Sequence, residues 1–195
     1  MQEEKLRLED LLESSTSAND DDRINNVAII GAGIMGRGIA QTVASMGLEV
    51  VIVEVDSEKL ENAKTKLNDN IDSEIKRWAM TKSDKKAIFS RIKWETDINA
   101  VKDCEIIIEA VQEDFDEKVK VFRQIDKIAN PEAIFVSNTS TLSLTNISES
   151  ISRPTKVIGM HFLNPVPKVP MVELVKSLHT SNETVLKVKE FASRI

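Results

Sequence analysis

The chain has 195 residues, 26 Lys and Arg against 32 Asp and Glu for a net charge of −6, and 41% apolar residues. That suffices for one sizeable domain plus an accessory piece, and it excludes a disordered chain, a collagen and a disulfide scaffold. The single cysteine, Cys104, has no partner, no apolar run reaches the roughly 18 residues of a membrane span, and the acidic balance gives no footprint for nucleic acid or an anionic membrane.

Residues 1–25 hold eight acids and three bases, a net of −5, which leaves −1 for the rest. They read as an acidic, flexible extension. They are too acidic for a mitochondrial transit peptide and lack the apolar stretch of a signal peptide. Leu6, Leu8, Leu11 and Leu12 suit a short helix. The plain reading is a solvated extension, and the alternative is a helix that docks on a partner. The expected location is cytoplasmic.

After this head the predicted elements alternate. Val27 to Ile30 reads as a buried strand, and a helix follows from Ile34 to Met46, stopped by Gly47. Val50 to Val53 is a second buried strand. Ser57 is the expected cap of a helix whose stripe is Leu60, Ala63, Leu67, Asn70 and Ile71. Ser83 is the expected cap of a short helix to Ser90. Ile92 to Trp94 and Glu105 to Glu109 read as strands. An amphipathic helix runs from Asp114 through Phe115, Val119, Phe122, Ile125 and Ala129. Ala133 to Val136, Lys156 to Met160 and Met171 to Val175 are further strand candidates, and Glu183 opens a last helix. The pattern predicts an α/β fold, doubly wound around a mostly parallel sheet over residues 26–195.

Four of the six glycines, Gly31, Gly33, Gly36 and Gly38, fall within eight residues. The spacing G-x-G-x-x-G between a predicted strand and a predicted helix is the context of a Rossmann-type dinucleotide site. Gly31 permits the tight turn, Gly33 lets backbone approach a pyrophosphate, and Gly36 lets helix pack on strand. The helix start offers its free N–H groups to phosphate. Glu54 ends the second strand eighteen positions after Gly36, where an acid bonds ribose hydroxyls and repels a 2′-phosphate. The expected cofactor is therefore NAD rather than NADP. Asp56 competes for that role.

The second half carries the candidate chemistry. His161 is expected just after a strand, in a loop stiffened by four of the five prolines. At a carboxyl strand end a histidine is well placed to move a proton. Glu173, twelve residues on, would fix and stabilise the imidazole if its strand returns beside that loop. Ser137, Asn138, Thr139 and Ser140 offer hydroxyl and amide groups at the same sheet edge. His179 reads as exposed, Cys104 as inert packing, and Trp78 and Trp94 as packing residues. No metal site is expected.

The set Gly-Ala-Gly-Ile-Met-Gly (31–36), Glu-Ala-Val-Gln-Glu (109–113) with Lys118, Ser-Asn-Thr-Ser (137–140), His-Phe-Leu-Asn-Pro-Val-Pro (161–167) and Val-Glu-Leu-Val (172–175) resembles the NAD-binding domain of the L-3-hydroxyacyl-CoA dehydrogenases, which include the 3-hydroxybutyryl-CoA dehydrogenases. That family, which serves fatty acid metabolism, reversibly oxidises the β-hydroxyl of an acyl-CoA to a ketone, with reduction of NAD. The resemblance implies His161 as catalytic base and acid, Glu173 as its carboxylate partner, Ser137 as the group that bonds the substrate oxygen, and Asn164 in the same loop. It implies Gly31, Gly33, Ile34, Met35, Gly36 and Glu54 as contacts to NAD, with Glu113 and Lys118 near the nicotinamide.

The likeness ends at Ile195, where the family continues into a helical domain that completes the acyl-CoA cleft and builds the homodimer. The chain thus reads as a fragment or truncated product with that domain absent. Two rivals remain: a non-catalytic NAD-binding module acting through partners, and a β-hydroxyacid dehydrogenase, which shares the glycine opening but not residues 161–167.

Overall fold

A computed structural model describes residues 23–195. Most of the acidic head, including the leucines proposed for a helix, lies outside the described residues. Its last residues do not read as extension: Ile24 is buried, and its carbonyl accepts from Arg194.

Seven strands form one sheet. They are β1 (Asn26–Ile30), β2 (Glu49–Val53), β3 (Ile92–Glu95), β4 (Ile106–Glu109), β5 (Ile134–Ser137), β6 (Val157–Phe162) and β7 (Val172–Lys176), in the spatial order β3-β2-β1-β4-β5-β6-β7. Every neighbouring pair is parallel except β6 with β7. The near-continuous Val and Ile runs follow from this: strands β1, β4 and β5 are covered on both faces. Strand order reverses between β1 and β4, and a ligand crevice lies outside the carboxyl ends at such a point.

One face of the sheet packs on α1 (Ile34–Ser45), α2 (Ser57–Lys76), α3 (Lys82–Arg91) and α6 (Asn182–Arg194). The other packs on α4 (Phe115–Ile128) and α5 (Leu144–Ser148). Helix α1 presents Ile39, Ala40, Val43 and Ala44 to the sheet and stops at Gly47, whose φ of +92° suits a residue without Cβ. Helix α2 buries Leu60, Ala63, Leu67 and Ile71, while Asn70 faces outward.

Several local expectations need correction. Asp56, not Ser57, caps α2 by accepting from the amides of Glu58 and Lys59. Thr81, not Ser83, caps α3 through a reciprocal box with Asp84. Trp78 is no packing residue: it is 96% exposed, at φ +61°, in the turn between α2 and α3. Trp94 is half-buried on β3, as expected of packing. Strand β6 runs on to Phe162, so His161 lies within it rather than after it.

Candidate active site

The glycine turn joins β1 to α1. Gly31 has φ +100°, its amide donates to Val53 at 2.9 Å, and an added Cβ would lie 2.8 Å from the Ala110 carbonyl oxygen. A Cβ on Gly36 would lie 1.9 Å from the Gly31 oxygen, so helix and turn touch there. Gly33 differs, since a Cβ there would meet nothing within 4 Å. It is the N-cap of α1, with no side-chain cap and no acid in the first turn. The helix start therefore has free donors and open space above it, which fits a pyrophosphate. Ile34 is exposed and Met35 half-buried beside it. Glu54 lies against the same turn, its Oε2 accepting from the Ala32 amide at 3.3 Å. Asp56 is committed to the end of α2, where bonds to the Lys59 and Glu58 amides outweigh desolvation and lower its pKa. Glu54 is thus the acid of the two that is free for a ribose.

A second cluster stands on the other side of the crevice. Glu109 ends β4 fully buried. Its carboxylate accepts from Lys118 Nζ (2.6 Å), the Val111 amide (2.9 Å) and Ser137 Oγ (2.7 Å). Lys118, 1% exposed on the inner face of α4, also reaches Glu113 Oε2 at 3.2 Å. The other Glu113 oxygen accepts from the Thr139 and Thr141 hydroxyls and the Ser140 and Thr141 amides. Burial alone would raise the Glu113 pKa, but the Thr139 hydroxyl, Lys118 and the Ser140 amide outweigh it and draw it down to about 2. The loop after β5 is thereby tied to α4 through a carboxylate that stays charged.

Register then brings His161 into the same region. Ile30, Glu109, Ser137, Gly159 and Val175 form one row across the sheet. His161 and Glu173 are directly opposite each other one step of the pleat beyond it, on the same face. Residues paired this way have Cβ atoms about 5 Å apart. His161 Nδ1 is buried without a hydrogen-bond partner, and no hydrogen bond joins it to Glu173. Asn138 steadies the strand end by accepting from the Phe162 amide at 3.0 Å.

Ser137 does not fit the role expected of it. It is fully buried and its hydroxyl is spent on Glu109. Three residues on, Ser140 is exposed and anchored through its amide to Glu113. Its hydroxyl is the one the loop offers to a ligand. Asn164 is exposed in the proline-rich loop, away from the buried network, and lines a cleft of about 340 Å³ between α1, α2 and that loop. A second groove of about the same volume opens at Asn26, Glu49, Lys93 and Cys104, towards the amino ends of the strands and apart from these loops. Burial, then Asp103 and Glu105, push the Cys104 thiol up to about 11, so it is inert there. His179 pairs with Glu149 on the surface.

Comparison with known proteins places the chain in a family. A family model described as 3-hydroxyacyl-CoA dehydrogenase, NAD binding domain, matches residues 26–195. The chain belongs to that family. The chain is 34% identical over 172 residues to the 3-hydroxybutyryl-CoA dehydrogenase of Bradyrhizobium diazoefficiens, covering 88% of this chain and 59% of that protein. It is 32% identical to the 3-hydroxybutyryl-CoA dehydrogenase of Mycobacterium tuberculosis, covering 89% and 61%. The crystal structure of (S)-3-hydroxybutyryl-CoA dehydrogenase from Ralstonia eutropha superposes with a TM-score of 0.85 at 40% identity, over 88% of this chain and 60% of the other. The chain thus spans about three fifths of the length of these relatives. The family match sets aside the β-hydroxyacid dehydrogenases. Among the described residues no helix is long and apolar enough to cross a membrane.

Proposed function

We propose that the chain carries the coenzyme-binding and proton-transfer half of an NAD-dependent 3-hydroxyacyl-CoA dehydrogenase. The observation that carries the reading is a histidine with an idle, buried Nδ1 directly across the β6–β7 ladder from a carboxylate, at the same carboxyl edge of the sheet as a glycine turn with open space above its helix. A cleft lined by Arg37, Arg77 and Lys168 suits a phosphate-bearing substrate such as an acyl-CoA.

In this reading the amides of the turn, with Gly31, Gly33 and Gly36 keeping side chains out of the way and Ile34 and Met35 opening the helix, hold the pyrophosphate of NAD. Glu54 accepts from the ribose hydroxyls. NAD held there would supply the hydride acceptor in oxidation and the hydride donor in reduction. Neutral His161 takes the proton of the substrate β-hydroxyl, and protonated His161 returns it in the reverse direction. Glu173 stabilises the imidazolium as it forms. Ser140, rather than Ser137, aligns the oxygen. Glu113 and Lys118 keep that serine's loop in place and face the nicotinamide side, and Asn164 belongs to the substrate cleft. The cytoplasmic setting, and a homodimer built through the part of the relatives' length that this chain does not span, complete the proposal.

The test is the loss of NADH absorbance on adding acetoacetyl-CoA. Turnover by the wild-type chain that is abolished in His161→Gln supports the reading. NADH binding with no turnover, unchanged by that substitution, points instead to a non-catalytic dinucleotide-binding module.

A further inference from the structure

The cleft between α1, α2 and the proline-rich loop is unevenly charged. Arg37, Arg77 and Lys168 line it, and Glu74 is the one acid among its lining residues. Glu74 accepts from the Gln41 amide at 3.0 Å. Among the described residues no carboxylate forms an ion pair with any of the three cations.

Arg37 is the unusual member. It follows Gly36 in the first turns of α1, and its side chain folds back so that Nη1 donates to the Ala32 carbonyl at 2.9 Å. Its Nε is buried and has no hydrogen-bond partner. Desolvation pulls its pKa below the usual arginine value. Arginine does not discharge in practice, so burial without an anion carries a standing cost. A strut to the Ala32 carbonyl explains one N–H and leaves Nε unexplained. The cleft wall is also firm: Gly38, the next residue, lies so close to Val166 that an added Cβ would be 3.0 Å from the Val166 Cβ. Arg37 thus lines a preformed cleft, and its Nη2 and second Nη1 N–H donate to no described residue.

We infer that Arg37 anchors the substrate by receiving an anionic oxygen group of the acyl-CoA, either a phosphate at its nucleotide end or a carboxylate at its acyl end. The inference rests on the acyl-CoA reading above. A planar guanidinium fork meets either group with two parallel hydrogen bonds, and an ammonium there would supply charge without that geometry.

The experiment is calorimetric titration of the 195-residue chain, wild type, Arg37→Met and Arg37→Lys. The ligands are acetoacetyl-CoA, acetoacetyl-pantetheine, which lacks the phosphates, and 3-oxoadipyl-pantetheine, which carries only a carboxylate. NADH is titrated in parallel. R37M should weaken an anionic ligand by about tenfold or more, with R37K recovering part of the loss. Acetoacetyl-pantetheine and NADH should hold within about twofold. A loss confined to acetoacetyl-CoA names the phosphate, and a loss confined to the oxoadipyl ligand names the acyl carboxylate. Unchanged affinity for both anionic ligands overturns the inference, as does a loss that falls on NADH. If the wild type binds no thioester, the acyl-CoA reading fails and the inference with it. Should R37M not fold, Arg37→Gln, which can still donate to Ala32, replaces it with the same outcomes.

Discussion

The two sides of the crevice are built on different principles. On the β1–β2 side the proposed working groups are backbone: a turn with positive φ at Gly31, a close approach at Gly36, open space at Gly33 and the uncapped start of α1. On the β4–β7 side they are side chains: Glu109, Lys118, Glu113, Ser140, His161 and Glu173, set by sheet register and a buried ion cluster. A backbone site is specified by what residues must lack. A side-chain site is specified by where each one points, and a slip of one residue would turn the strand's whole set to the other face.

The strongest way to break that contrast is at His161. His161→Gln should lower turnover by about 10²–10⁴-fold, the worth of a positioned acid–base group. Its NADH affinity should stay within about twofold, because the backbone side is untouched. A variant that loses NADH affinity as much as turnover would show that the two sides are not separable. Lys118→Met should cost about 3–5 kcal/mol of stability in urea melts, since it leaves Glu109 buried and charged without its cation. A loss below about 1 kcal/mol would mean that the cluster does not hold the β4–β7 side together.

The glycines sharpen the contrast from the other side. Gly36→Ala forces a methyl against the Gly31 carbonyl and should cost about 1–3 kcal/mol. Gly33→Ala meets nothing and has φ −65°, so stability should hold within about 0.5 kcal/mol while NADH affinity falls. If both alanines affect stability alike, Gly33 is not open to a ligand.

This division also decides what the sequence discloses. The glycine turn and Glu54 are legible because tight backbone geometry admits few residue types. The strand–helix alternation is legible because parallel strands are apolar on both faces. His161 is singled out as a candidate, but its placement inside β6 is not foreseen. Strand β6 extends to Phe162 by pairing with β7 beyond the point where its pairing with β5 ends, and that long-range pairing is not marked in the local sequence. Glu109 is missed as a site residue because Ile-Ile-Ile-Glu is read only as a strand, with no role given to its last residue. The available signal was Lys118, a lysine on the apolar stripe of α4 in line with Phe122 and Ile125, which needs a buried anion. Ser137 comes from the resemblance, and the sequence does not show that its hydroxyl is spent on Glu109 while that of Ser140, in the loop beyond β5, is not. Trp78 shows the converse error, since an aromatic residue packs only where its helix end is covered.

The smallest expected effect tests whether the tie between Glu113 and the loop after β5 matters to folding. The Glu113 pKa is drawn from its ordinary 4.5 to about 2 in the folded chain. A depressed carboxyl binds its proton more weakly when folded than when unfolded. Its contribution is therefore complete above about pH 4.5 and is lost as pH falls from there towards 2. Glu113→Gln removes the titration, so the variant should be less stable than wild type at neutral pH. The gap between the two should narrow as the pH falls through that window. Glu113 is partly exposed, so solvent screening keeps the effect modest. Urea melts of both proteins at pH 7, 4.5 and 3 measure it. No gap at any of the three would place the loop's anchorage in the hydrogen bonds that glutamine can still accept from Thr139 and Thr141, and not in the charge shared with Lys118.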